Sequence, residues 1–191
     1  MVKIVVPESN FLVHEELLCR ASQKFERQLR GSFKEASSGV ISDCEEPPHY
    51  MGVFLAYIYF GESALIQDIG PSSRAVDLAR MYCMAERLDA KSFQESVMSA
   101  FAASLDFRCT LPAEDICTLL HLVYTELPER EKDHEYPLRS LVLWCAVSSL
   151  FLLKNHPRFE TEILDKFPGL AKTLLLRAKD SEERNPFLSY F

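Results

Sequence analysis

Residues 11 to 25 read "FLVHEELLCRASQKF", and within six positions they bring together His14, Glu15, Glu16 and Cys19. These are the residue types of nucleophilic catalysis, in which an imidazole deprotonates a thiol and a carboxylate orients the ring. The spacing tells against that chemistry. Helical side chains meet at separations of three or four, so His14 and Cys19, five apart, point in different directions, and the adjacent His14 and Glu15 do not face each other. A Cys/His hydrolase built here is the weaker reading. The stronger one makes the stretch architecture and contact surface, with His14 orienting a strand-to-helix corner by hydrogen bonding.

Other chemistry fares no better. A chain with six glycines holds no G-x-S-x-G elbow and no glycine-rich phosphate loop. The histidines (His14, His49, His121, His134, His156) are scattered, and none stands at close ligand spacing with a cysteine. Cys44 and His49 share a loop but lack two further ligands, so neither a metal site nor a cofactor is expected. The aromatic run "AYIYFG" (56–61) has no basic neighbours to make a base-stacking platform, and reads as core. Cys19, Cys44, Cys83, Cys109, Cys117 and Cys145 contain no C-x-x-C pair, and several fall inside apolar helical patterns. They read as buried free thiols in a reducing compartment.

Such a contact surface needs a fold to carry it. A chain of 191 residues suits one domain with an appendage, and at this size folding buries roughly 70% of the unfolded surface. Hydrophobic residues make up 48% and charged residues 26%, as in an ordinary globular protein. The net charge of −7 works against sequence-independent nucleic-acid binding, which needs clustered cations. An acidic chain of this kind more readily meets other proteins. The apolar stretches "VFLAYIYF" and "LVLWCAVSSLFLL" fall short of the ~20 residues of a membrane span. "MVKIVVPESN" lacks the pattern of a secretory leader, so an intracellular protein, cytoplasmic or nuclear, is expected.

Residues 2–6, "VKIVV", are β-branched and end at Pro7, which predicts a strand; "FLV" (11–13) would pair with it as a hairpin. From His14, Leu17, Leu18, Ala21, Phe25 and Leu29 fall at helical spacing, with Ser22 placed to cap a second short helix. "VI" (40–41) reads as a third brief strand. A helix is predicted from about Pro48 to Tyr59, ended by Gly61. Two further helices follow, with Ala75, Leu78, Ala79 and Tyr82 on one and Phe93, Val97 and Phe101 on the other, the second capped by Asp89. Ile116, Leu119, Leu120, Val123, Tyr124 and Leu127 mark another, and 138–153 reads as the most buried helix of the C-terminal half. Two short helices starting near prolines precede the tail "SEERNPFLSYF", and "PEREKDHEYP" (128–137) is a solvated connector.

Taken in order, "VKIVV", "F-x-V-H-x-x-x-L" at 11–18, "S-x-x-F" at 22–25, "G-x-F-x-E" at 31–35, "YIYFG" at 57–61 and "LARMYCMAERLDAKSFQESVM" at 78–98 resemble a BTB/POZ domain over residues 1–106. Residues 107–180 resemble the helical extension that follows the domain in many fungal BTB proteins, and 181–191 form a tail. The resemblance implies an α+β, mostly helical fold in which a small β-sheet is capped by a helical cluster. It also implies a protein–protein interaction module without catalytic activity.

By that resemblance the chain forms a homodimer or pairs with another BTB protein. The same resemblance implies the role of an adaptor or scaffold, with recruitment of an unknown client to a cullin-based ubiquitin ligase as its specific form. Direct contact with nucleic acid or membrane is not implied. The dimer surface would fall on Glu15, Leu17, Cys19, Arg20 and Phe25, and the partner-docking loop on Pro47, Pro48 and His49. A transcriptional co-regulator that dimerises and recruits a co-repressor is the alternative within the binding class. Two departures stand out. Met1 occupies the place where the family has an acidic residue and more chain upstream, so a swapped N-terminal strand is not expected. Pro47-Pro48-His49 replaces the acidic segment many members carry at the entry to the helix that ends "YIYFG".

Overall fold

The computed structural model describes residues 1–42, 44–67, 74–105, 111–127 and 136–180. The chain is mostly helical, with one small three-stranded sheet, so the α+β class holds. It divides into two compact units, Met1–Gly70 with Met84–Val97, and Pro71–Cys83 with Met98–Phe191. That division runs through two helices.

In the first unit, β1 (Val2–Val6) and β2 (Ser9–Val13) form the antiparallel hairpin expected from the β-branched run. The turn between them carries Glu8 at φ 61°. β3 (Val40–Ile41) pairs with β1 in parallel, giving the order β2-β1-β3. Val2, Ile4, Val6, Val13 and Ile41 are buried on one face of the sheet, and Lys3, Asn10 and Leu12 are exposed on the other. This is the period-2 alternation of a sheet wet on one side.

Helices α1 (Glu15–Ala21) and α2 (Gln23–Arg30) follow, separated by Ser22. Ser22 Oγ accepts the Phe25 N–H (3.2 Å) and donates to the Leu88 carbonyl (2.5 Å), so one hydroxyl caps α2 and ties it to a distant turn. Leu18, Cys19, Phe25 and Leu29 face inward, and burying Phe25 alone is worth roughly 1.5–3 kcal/mol. The polar stretch after Arg30 contains a further short helix, α3 (Lys34–Ser38), closed by Gly39 at φ 64°. Hydrophobic periodicity does not mark it, because one turn with a single buried side chain has no period to show.

Helix α4 (Pro48–Phe60) begins on its proline and ends at Gly61, at φ 68°. It buries Met51, Val53, Phe54 and Leu55, with the Phe54 ring edge-on to Phe93 at 5.1 Å. A 3-10 turn (Gly61–Ser63) leads into α5 (Ala64–Gln67). Beyond come α6 (Arg74–Arg87) and α7 (Lys91–Ser104). Asp89 does not cap α7. It sits at φ 52° and pairs with Arg27 at 3.2 Å, while the Ala90 carbonyl accepts the first helical bond, from the Gln94 N–H. Buried Glu46 takes a two-pronged bond from Arg87, at 2.8 and 2.7 Å.

In the second unit, α8 (Ala113–Thr125) buries Ile116, Cys117, Leu119, Leu120 and Val123, and packs on α9 (Pro137–Ser148). The apolar run 138–153 is not one helix. It breaks at Ser149, and α10 (Leu150–Leu153) restarts from that residue's carbonyl. Phe159–Leu164 winds as a π-helical turn, and α11 (Pro168–Asp180) lies against α9 through Leu170 and Leu174. Most of the connector at 128–137 and the whole tail at 181–191 lie outside the described residues; Tyr136 of the connector is buried.

Candidate functional site

His14 stands where β2 turns into α1, and its partner comes from α4. The Tyr59 hydroxyl accepts the His14 backbone N–H at 3.1 Å and lies 2.8 Å from His14 Nδ1. With the neutral ring it donates there, which leaves the ring proton on Nε2. His14 therefore orients the corner, as its position in the sequence suggested, and Tyr59 is the residue that sequence reasoning missed. The run "AYIYFG" predicts core, yet Tyr59 and Phe60 emerge to the surface as α4 ends.

Around this bond lies an exposed apolar corner. Phe60, with its ring beside Tyr59, is 73% exposed, and Leu12, two residues before His14 on the same strand, is 69% exposed. Met1, which precedes β1, is exposed as well. Glu15, Glu16 and Arg20 stand exposed on α1, and Leu17 is half-buried.

The residues proposed for a dimer surface thus divide. Glu15, Arg20 and part of Leu17 face solvent, whereas Cys19 (3% exposed) and Phe25 (1%) belong to the core and leave that surface. Residues on two short helices cannot point all their apolar groups outward while also filling the core. In the docking loop, Pro47 and His49 are exposed and Pro48 is half-buried in the first turn of α4.

The suspected reactive pairs are not assembled. Cys19 is buried while His14 is exposed and engaged with Tyr59; Cys44 is buried while His49 is exposed against Tyr50. Burial raises both thiols above their usual pKa. A different chain of groups does form, in the second unit. Cys117 Sγ lies 3.8 Å from His156 Nδ1, and His156 Nε2 lies 3.5 Å from Glu114, which also binds Arg158. The order thiol, imidazole, carboxylate is that of a nucleophile triad. Its thiol, however, is wholly buried and pushed up to about 11 by that burial, so it is a proton donor at neutral pH. Glu114 and Cys117 share a helix face and were legible together; His156, 39 positions from Cys117, was not.

Cys19, Cys44, Cys83 and Cys117 are buried and outside any disulfide, as expected. Cys145 is an exception, being disulfide-bonded, and Cys109 lies outside the described residues. Among the described residues no group of three or more His, Cys, Asp or Glu is arranged to hold a metal ion, and no helix is long and apolar enough to cross a membrane. No family model matches the chain, and no curated protein matches it.

Proposed function

We propose that the chain is a protein–protein interaction module of the BTB/POZ type, acting as an adaptor or scaffold that joins a client to a cullin-based ubiquitin ligase. The observation that carries this reading is the corner of Leu12, His14, Tyr59 and Phe60. The His14–Tyr59 bonds tie the end of β2 to the end of α4, and Leu12, Tyr59 and Phe60 face solvent beside them. A preformed exposed anchor costs little ordering on binding. The order hairpin, two short helices, parallel third strand and helical cluster supports the family resemblance. Contacts then come from the corner and from Glu15, Leu17 and Arg20, with self-association or a related BTB chain as first partner, and Pro47, Pro48 and His49 reserved for the ligase scaffold.

Capture of the purified chain on an immobilised cullin N-terminal domain, repeated with Phe60→Glu and with Pro47→Ala/His49→Ala, tests this. Retention of the wild type, with at least tenfold weaker retention of the loop variant, is the expected result. Absence of any retention removes the ligase reading. A co-repressor peptide retained in its place favours the transcriptional co-regulator.

A further inference from the structure

β2 is an edge of the sheet, and the direction of its free backbone groups follows from its neighbours. Lys3 donates its N–H to the Gly39 carbonyl at 2.9 Å, on the β3 side of β1. The N–H and C=O of one strand residue point to the same side, so those of Lys3 turn away from β2. Lys3 sits opposite Leu12, which makes theirs a non-hydrogen-bonded pair, and by alternation Val5–Asn10 is another. The amides and carbonyls of Asn10 and Leu12 therefore point out of the open edge. Among the described residues, no backbone hydrogen bond links Ser9–Val13 to any element but β1. At the next outward position the His14 N–H is taken by Tyr59, which closes that end of the edge.

We infer that two copies of this chain pair β2 to β2, antiparallel about an axis through Phe11, and so join their sheets into one of six strands. The inference rests on the self-association in the proposed function and gives it a face. The free groups are self-complementary: Asn10 and Leu12 flank Phe11 symmetrically, so the two-fold brings each Asn10 opposite the other copy's Leu12. All four outward N–H groups then meet outward carbonyls, and the two Phe11 rings, half-buried in one copy, meet in a close non-hydrogen-bonded pair. Charge agrees. "SNFLV" carries none, and just beyond it each copy's Glu8 comes opposite the other's His14. The usual guards of an edge strand, an inner proline, a charge or a bulge, are absent from β2.

Cysteine cross-linking of the full chain tests the register. Asn10→Cys and Leu12→Cys are both at exposed positions, and a paired 10–12 contact falls within disulfide range. Mixing the two variants under oxidation is expected to give a cross-linked species of twice the chain mass that neither variant gives alone. Leu12→Pro removes an N–H that β1 does not use, and is expected to halve the native mass with the circular dichroism unchanged; Asn10→Pro serves if that variant fails to fold. A dimer that gives no mixed cross-link, or that survives Leu12→Pro but is lost on charge reversal at Glu15 and Arg20, overturns the strand pairing and leaves self-association standing. A wild-type chain that is monomeric at every concentration overturns both.

Discussion

At Cys117 a thiol lies 3.8 Å from an imidazole nitrogen, yet burial holds its pKa at about 11, so proximity to a base does not make a nucleophile. A thiol-reactive probe on the native protein is therefore expected to label none of Cys19, Cys44, Cys83 and Cys117 rapidly. A fast-reacting Cys19 or Cys117 would restore the hydrolase reading. The same burial makes stability depend on pH. The folded pKa lies above the ordinary value of 9.0, so this contribution is complete below pH 9 and is lost as the pH rises through 11. Its size is on the order of 2 kcal/mol. Cys117→Val is expected to flatten the fall in thermal midpoint between pH 9 and 11, and an unchanged slope would assign that fall to other groups. Ser22 gives a second test at this scale. Its hydroxyl serves both Phe25 and Leu88, so Ser22→Ala is expected to cost about 1–3 kcal/mol in urea denaturation.

Arg139 shows how an element is finished. It is buried, its Nη2 donates to the Val123 and Leu127 carbonyls at 3.0 and 2.7 Å, and its guanidinium stacks on Tyr124. The C-terminal end of α8 thus receives a cation where its dipole is negative and its carbonyls lack helical partners. Arg139→Ala is expected to cost about 1–3 kcal/mol through the orphaned carbonyls, measured by urea denaturation; a loss below 0.5 kcal/mol, roughly that of a plain surface change, would show that water replaces the bonds. Elements with a cap or a stop were legible: Ser22 between α1 and α2, Pro48 and Gly61 around α4, the β-branched run of β1. Three were not. α3 has no apolar period, the Ser149 break is hidden in a stretch apolar on all sides, and the left-handed turn at Asp89 draws its carboxylate away to Arg27.

For the whole molecule, composition and motif order placed the α+β class; the division into two units depends on long-range packing that no local pattern records. The exposed face of the candidate stretch was legible in part. Glu15 and Arg20 face out as expected, while Cys19 and Phe25 turned inward and Tyr59 and Phe60, placed in the core by their apolar run, came to the surface. Association through that surface is the central claim, and light scattering of the native chain over a wide concentration range, with and without an equimolar cullin N-terminal domain, tests it most directly. The account predicts about twice the 21.9 kDa chain mass for the protein alone, and a heavier complex once the cullin domain is added. A mass of one chain throughout, unchanged by the cullin domain, would contradict it.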